Sequence, residues 1–219
     1  MIKANHKNYA EWIFIPYMNR ILKNNFSHFY LVNQFPEIPD NTGLVVTPNH
    51  ISWWDGFFAK YLFARDIDRK FHIMMLEDQL RKYRFFSKLG AYSIDPGNVR
   101  SVIETSRYTS ELVSNTVNFI ITYPQGEIQS FEKRPLKLKE GLKIFTREIK
   151  GDFLILPVGF KIHFYNEKHP AVIARYGNPI EGTKIFDDYN AFERNFTGNL
   201  DQLADAAENM NFAGDLFSR

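Results

Sequence analysis

The sequence predicts an α/β fold: a single domain with a largely parallel central sheet flanked by helices, preceded by an N-terminal amphipathic helix. Short apolar runs, such as residues 44–46, alternate with longer stretches of helical spacing, as in folds whose strands lie parallel. A length of 219 residues suits one such domain and is short for two. We expect an N-terminal helical segment (1–42), a core (43–178) and a peripheral C-terminal segment (179–219).

Residues 9–32 carry the first helical pattern. Apolar residues recur there at steps of three and four with polar residues between them, and Pro16 breaks the pattern. Two interpretations fit equally well. The helix lies on a membrane surface with aromatic side chains at headgroup level, or it packs against the core of the domain. In the first interpretation these aromatic side chains are Tyr9, Trp12 and Tyr17.

The rest of the chain alternates between strands and helices. After the first central strand, which ends at Pro48, the pattern predicts strands at 71–76, 91–94, 117–122, 153–162 and 171–176. It predicts helices at 53–64, 79–89, 99–113 and 140–149, and a helical pattern near 200–216. In parallel sheets the loops at the carboxyl ends of the strands gather in one crevice. The turns after residues 48, 94 and 122 are therefore expected to form a single site.

The composition is that of a globular protein with an excess of aromatic residues. Hydrophobic residues make up 44% and charged residues 24%, whereas Phe, Trp and Tyr reach 16%. Aromatic side chains suit a bilayer headgroup region as well as a core, so the excess favours contact with lipid. The absence of cysteine excludes disulfides, a thiolate nucleophile and a cysteine metal site. A net charge of +2 argues against a general nucleic-acid-binding protein.

His50 and Asp55 form the candidate catalytic pair. A neutral imidazole removes the proton of an attacking hydroxyl when a carboxylate accepts the other ring N–H and fixes the tautomer. Five positions correspond to about 500° on a helix, so the two residues would not share a helical face. We expect His50 at the strand exit and Asp55 on the first turn of the next helix, with Ser52 as N-cap. By itself the spacing also fits a loop histidine and a capping aspartate.

The segment Tyr123-Pro124-Gln125-Gly126-Glu127 follows an apolar strand. A Pro-x-Gly turn at a strand end can point backbone N–H groups into the crevice, where they would stabilise an oxyanion. The alternative is an ordinary turn. Downstream, seven basic residues between positions 133 and 150 fit phosphate groups, an acidic carrier protein or anionic headgroups, or an exposed helix face that needs no partner.

Several classes of site are missing from the sequence. The other five histidines have no second ligand at a convincing metal spacing, so no metal is predicted. There is no Gly-rich phosphate loop and no Gly-x-Ser-x-Gly motif, which argues against a nucleotide hydrolase and a serine esterase. No stretch reaches the roughly 20 apolar residues that span a bilayer, and the N-terminus has no signal-peptide pattern.

Four segments resemble, in order and spacing, the sequence blocks of the glycerolipid (lysophospholipid) acyltransferase family: His50-x4-Asp55, then 89–94, 123–127 and 156–158. The resemblance implies that His50 is a general base oriented by Asp55. It implies an acyl thioester donor, acyl-coenzyme A or acyl-acyl carrier protein, a lipid acceptor and no bound cofactor. It also implies a cytoplasmic protein at the membrane periphery. The candidate substrate-binding residues are Asn49, Tyr123, Pro124, Gln125, Gly126, Glu127, Arg100 and Arg134.

Two departures from the family pattern bear on the acceptor. Members that acylate lysophosphatidic acid carry arginines at the end of the second block and after the third block's glycine, where this chain has Asp95 and Glu127. Arg100, Lys133 and Arg134 are the nearby candidates to compensate, and each also fits a solvated surface charge. Gln125 resembles the branch that acylates carotenoid glycosides and related glycolipids, which suits an uncharged acceptor. A non-catalytic lipid-binding protein, lysophosphatidate acylation and a thioester hydrolase remain the alternatives.

Overall fold

The computed structural model describes residues 1–218, in which a β-sheet lies between two layers of helices. The strands are β1 (Phe29–Leu31), β2 (Gly43–Pro48), β3 (Lys70–Leu76), β4 (Ala91–Ile94), β5 (Asn118–Ile121), β6 (Phe153–His163), β7 (Ala171–Tyr176), β8 (Ile180–Glu181) and β9 (Gly214–Asp215). The α-helices are α1 (Asn8–Asn25), α2 (Asp55–Asp66), α3 (Glu77–Lys82), α4 (Val99–Ser114), α5 (Gly141–Thr146), α6 (Lys184–Asp187) and α7 (Tyr189–Glu208). A 3₁₀ helix spans Arg84–Leu89.

The sheet has the strand order β4-β3-β5-β2-β6-β7-β1-β9, with β8 also paired to β6. The five strands from β4 to β6 run parallel, which confirms the predicted largely parallel sheet. β7 and β8 pair antiparallel with β6, and β9 pairs antiparallel with β1. All six residues of β2 are buried, because strands flank both its edges and helices cover both its faces.

Alternate residues of β2 face opposite helical layers. Leu44 and Val46 pack in one core with α1 and α2, whereas Val45 packs in a second core with α4, α5 and α7. Because both faces are buried, the strand reads as an unbroken apolar run. The same arrangement places β2 at the centre of the molecule, so its carboxyl end lies in the middle of the edge formed by the carboxyl ends of the parallel strands.

Helix α1 has two apolar faces. One face is buried in the core through Phe14, Met18 and Leu22, as the core-packed interpretation expected. The other exposes Tyr9, Trp12, Ile13 and Tyr17. The helix is continuous through Pro16, which is exposed, so the carbonyl that loses its helical partner can be hydrated. No helix within residues 1–218 combines the length and hydrophobicity needed to cross a membrane.

The C-terminal segment contributes to the core, in contrast to the expected peripheral position. α7 buries an apolar face that packs on β6 and β7, and β8 and β9 join the sheet. α7 also begins earlier than the predicted helical pattern, at Tyr189, where the Asp188 carboxylate accepts a hydrogen bond from the Ala191 N–H at 3.0 Å. Arg219, the last residue of that segment, lies outside the described residues.

Candidate active site

A loop of residues 49–54 connects the central strand β2 to helix α2. β2 ends at Pro48 and α2 begins at Asp55, so His50 lies at the strand exit and Asp55 on the first helical turn. α2 starts two positions later than the sequence pattern suggested, and Ser52 is in the loop instead of at the cap. Because β2 is the central strand, this loop lies at the middle of the carboxyl edge of the parallel strands.

Asn49 fastens the beginning of this loop to β6. Its backbone N–H donates to the Val158 carbonyl at 3.1 Å. Its side-chain amide donates to the Phe160 carbonyl at 2.8 Å and accepts from the Phe160 N–H at 2.6 Å. Asn49 is buried and its side-chain amide is engaged at both ends. The geometry gives it a positioning role, and the expected contact with substrate stays a prediction.

His50 and Asp55 form a hydrogen-bonded pair. The Nδ1 of His50 donates to Oδ2 of Asp55 at 2.7 Å. The carboxylate also accepts from the Ile51 N–H at 2.7 Å, the Ser52 N–H at 2.9 Å and the Ser52 hydroxyl at 2.8 Å. Asp55 is fully buried, so these four donors replace the hydration of its carboxylate. One carboxylate thus fixes both the fold of the loop and the imidazole.

The imidazole of His50 keeps one nitrogen free. In a neutral imidazole whose Nδ1 donates to Asp55, the lone pair is on Nε2, and Nε2 makes no hydrogen bond within residues 1–218. The side chain is 25% exposed, so a ligand can reach the ring. An imidazole oriented in this way, when neutral, has the geometry that general-base chemistry requires.

The segment after β5 holds His50 from a second side. The side-chain carbonyl of Gln125, itself buried, accepts from the His50 N–H at 2.5 Å. The ring of Tyr123 stacks on the imidazole, with 4.3 Å between centroids and 23° between planes. The Gln129 N–H donates to the His50 carbonyl at 2.9 Å. These contacts bring the first and third blocks together, as the topology predicted.

The phenol of Tyr123 is an unusual group in this site. Its hydroxyl is buried and makes no hydrogen bond within residues 1–218. Burial, and secondarily the charge of Asp55, raise the pKa of Tyr123 well above its ordinary value, so the phenol stays protonated. A neutral O–H donor without a partner is therefore present on the ring that stacks against His50.

The turn at Gly126 is closed by its own backbone. The Gly126 N–H donates to the Tyr123 carbonyl at 3.0 Å, and Gly126 has a φ of +67°, which a glycine adopts without strain. The carbonyl of Pro124 accepts from the Lys139 N–H at 2.7 Å. The Gly126 N–H is thus engaged within the turn. Glu127 is exposed, and its carboxylate accepts from the Gln129 amide at 3.1 Å.

The two arginines expected to compensate for the missing guanidinium groups have other partners. Arg100 lies on the first turn of α4, 89% exposed, and pairs with Glu104 one turn further on. Arg134 binds Asp201 of α7 at 2.7 Å and the Phe131 carbonyl at 2.8 Å. Arg134 therefore ties the loop after β5 to α7. Contact of either arginine with substrate stays a prediction.

Sequence reasoning missed part of the support around His50. Ser52, which was expected only to cap a helix, donates to Asp55; a serine three positions before an aspartate is a pattern that could have suggested it. Nothing in the sequence marks Gln129, whose backbone meets His50. No group of three or more His, Asp or Glu side chains within residues 1–218 is arranged to hold a metal ion.

Comparison with known proteins identifies the family. The family model described as Acyltransferase matches residues 30–161, which is more than half of the chain and includes both the His50 loop and the Gly126 turn. The chain belongs to the acyltransferase family. A search of curated proteins finds no match to this acyltransferase. Its fold is similar to that of the crystal structure of the 1-acyl-sn-glycerophosphate acyltransferase PlsC from Thermotoga maritima, with a TM-score of 0.60 and 15% identity over 88% of this chain and 79% of that chain.

Proposed function

We propose that this acyltransferase moves a fatty acyl group from a thioester donor to a hydroxyl of a lipid acceptor, with His50 as general base. The observation that carries the proposal is the 2.7 Å hydrogen bond from His50 Nδ1 to the buried Asp55, which leaves Nε2 free on an accessible ring. His50 differs from His28, whose ring also meets a carboxylate, Asp215 at 2.8 Å, because both ring nitrogens of His28 have carboxylate partners whereas Nε2 of His50 has none within residues 1–218.

The reaction proceeds in one displacement. Nε2 of His50 takes the proton of the acceptor hydroxyl as its oxygen attacks the thioester carbonyl, and a tetrahedral oxyanion forms. Collapse of this intermediate breaks the carbon–sulfur bond, and the imidazolium returns its proton to the leaving thiolate. The products are an ester and a free thiol. Asp55 stabilises the imidazolium while it carries the proton.

Oxyanion stabilisation is assigned to groups next to Gly126. The backbone N–H groups of Glu127 and Ile128 make no hydrogen bond within residues 1–218 and are the candidate donors. Preorganised donors of this kind are worth about 100- to 1,000-fold in rate each.

The exposed aromatic face of α1 supports a peripheral position on a membrane. Trp12 is 80% exposed and Tyr9 and Tyr17 about half, although the opposite face of the same helix is buried. Trp53, in the His50 loop, is 60% exposed and contacts Phe57, which in turn contacts Phe14 of α1. Aromatic side chains on a surface beside the active-site loop suit insertion at headgroup level, from which a lipid acceptor can enter.

The acceptor class is the open part of the proposal. The similar structure from Thermotoga maritima acts on 1-acyl-sn-glycerophosphate, whereas this chain has Asp95 and Glu127 where the resemblance calls for arginines. A lysophospholipid, another glycerolipid and a glycolipid are the candidates. A lipid-binding protein without catalysis is the alternative from another class, and the intact His50–Asp55 pair disfavours it.

The test is free-thiol release from a long-chain acyl-coenzyme A and from acyl-acyl carrier protein, with and without a panel of lipid acceptors. We expect acceptor-dependent release by the native chain, and a decrease of about 100- to 10,000-fold for His50→Ala. His169→Ala, at an exposed histidine, is the matched control and should behave as native. Equal rates for native and His50→Ala would contradict the mechanism. Release without any acceptor would indicate a hydrolase.

A further inference from the structure

A groove of about 400 Å³ lies between helices α1 and α2, away from the His50 loop. On α1 it is lined by Ile15, Asn19 and Lys23, which follow one another at intervals of one helical turn and therefore share a face. On α2 it is lined by Tyr61 and Arg65, also one turn apart. The small side chain of Ala64 leaves room beside them, and Met18 and Arg20 complete the lining.

The floor of the groove is apolar. Met18 is 1% exposed and Tyr61 8%, and Ile15 is half-buried beside them. Lys23 connects one side of the groove to the C-terminal segment, because its ammonium donates to the Phe217 carbonyl at 3.1 Å and lies 5.7 Å from the centroid of the Phe217 ring. An occupant of the groove would therefore meet carbon atoms below and charged groups above.

The rim of the groove is cationic. Arg20, Lys23 and Arg65 are exposed, and no acidic residue lines the groove with them. Within residues 1–218 none of the three forms a salt bridge, and Asp66, next to Arg65, accepts a hydrogen bond from the Tyr176 hydroxyl. A second cavity, beside α4, is lined by two basic and two acidic side chains, so its charges balance. Three cations without an acid at one groove favour an anionic occupant.

The groove is separate from the candidate active site. Asp55, which holds His50, begins α2, and Arg65 lies ten positions later, about 15 Å along the helix axis. On α1, the exposed Trp12 lies one turn before Ile15, so the groove lies beside the aromatic face of that helix. A molecule bound between α1 and α2 would thus lie next to this face and not at the imidazole of His50.

We propose that the groove between α1 and α2 binds an acidic phospholipid, with the phosphate at Arg20 and Arg65 and the start of an acyl chain on the apolar floor. A guanidinium group binds phosphate oxygens through two parallel hydrogen bonds, and the volume is in the range of ligand sites. A free phosphate leaves the floor unused, and a zwitterionic lipid leaves the rim charge unbalanced. The site goes beyond acyl transfer and does not depend on it.

The test is calorimetric titration of the native chain with dihexanoyl phosphatidylglycerol below its critical micelle concentration, so that no membrane surface is present. The comparison ligands are dihexanoyl phosphatidylcholine, which has the same chains, and inorganic phosphate. Arg65→Gln removes one cation, and Ala64→Phe fills the groove without a change of charge. Both positions are exposed on α2, and thermal unfolding shows whether each variant keeps its fold. Arg84→Gln is the matched control, at an exposed arginine outside the groove.

We expect the native chain to bind the phosphatidylglycerol more tightly than either comparison ligand. Arg65→Gln should raise its Kd by about tenfold, the effect of losing a hydrogen bond between charged groups. Ala64→Phe should raise the same Kd by a similar factor, because the space for the lipid is occupied. Arg84→Gln should leave it unchanged.

The proposal is overturned if phosphatidylcholine or inorganic phosphate binds as tightly as phosphatidylglycerol, or if no binding is found. It is also overturned if either Arg65→Gln or Ala64→Phe binds phosphatidylglycerol as the native chain does, since the lipid must use both the charge and the space. The acyl-transfer assay has a separate outcome. A native chain that transfers no acyl group but shows the expected binding pattern would lose the proposed function and keep this lipid site.

Discussion

At the scale of single residues, Asp55 combines two tasks that are usually separate. It orients the imidazole of His50, and through hydrogen bonds from the Ile51 and Ser52 N–H groups it closes the loop that carries that imidazole. The Asp55 carboxylate that accepts these hydrogen bonds is fully buried. The loop and the base are therefore not independent, and a change at Asp55 should affect stability and activity together.

We predict that Asp55→Asn lowers both the stability and the activity of the protein. The amide NH2 cannot accept, so at least one of the four donors is left buried without a partner, at a cost of about 1–3 kcal/mol in the free energy of unfolding. Transfer should fall by about 100-fold or more, because the tautomer of His50 is no longer fixed. Urea unfolding and the thiol-release assay measure the two effects, with the exposed Asp68→Asn as control. A variant as stable and as active as native would refute the double role.

At the scale of elements, α1 is amphipathic in an uncommon way, because its exposed face is also rich in large apolar side chains. Trp12 should contribute to membrane binding and not to folding, whereas Phe14, which is buried against Phe57 and Phe86, should do the opposite. Full burial of one large apolar side chain is worth about 1.5–3 kcal/mol, which is more than tenfold in an equilibrium constant.

We predict that Trp12→Ser lowers the affinity for vesicles of phosphatidylcholine and phosphatidylglycerol by about tenfold, as measured by co-sedimentation. The free energy of unfolding should not change. Val99→Ser is the matched control, because Val99 is 75% exposed on α4, in the opposite helical layer. Phe14→Ala should instead lower the free energy of unfolding by about 3–5 kcal/mol. Equal vesicle binding by native and Trp12→Ser would show that this face is not the contact.

The elements that the sequence predicted are those with a strong local pattern. β3 to β7 are found within a residue or so of their predicted bounds, because buried parallel strands are continuous apolar runs. The elements that it missed have no such signal. β1 and β9 are only three and two residues long. α7 packs in the core because it covers a face of β6 and β7, which is a property of the assembled sheet and not of the local sequence.

At the scale of the whole molecule, the candidate active site depends on distant parts of the chain meeting at one sheet edge. The spacing of His50 and Asp55 suggested their local geometry, but Gln125 lies 75 positions from His50, and its hydrogen bond exists only because β5 pairs with β2. Asn49 is likewise joined to Phe160 across 111 positions. Such contacts have no sequence signature, since each depends on the register of the assembled sheet. The pair, and the meeting of its loop with the turn after β5, were therefore predictable, whereas the individual supporting hydrogen bonds were not.

A buried histidine and a half-buried one beside it make the stability of the whole molecule sensitive to acid. His72 of β3 meets His6 with 4.8 Å between ring centroids, and Nδ1 of His72 and Nε2 of His6 are buried without a partner within residues 1–218. Burial first, and then the neighbouring His6, lower the pKa of His72 to about 4, despite its hydrogen bond to Asn118. Burial also lowers the pKa of His6.

Well above pH 6.5 His72 is neutral in both the folded and the unfolded chain, so its burial does not reduce the free energy of unfolding through protonation. As the pH falls from 6.5 towards 4, the unfolded chain binds a proton that the folded chain does not, and stability falls by about 1.4 kcal/mol per pH unit. We predict a loss of about 2 kcal/mol from this residue between pH 7.5 and pH 5. His72→Gln, which can still donate to Asn118 but does not titrate, should lose correspondingly less in urea unfolding at the two pH values. If the native chain and the variant lose the same free energy of unfolding between the two pH values, the acid sensitivity arises from other residues.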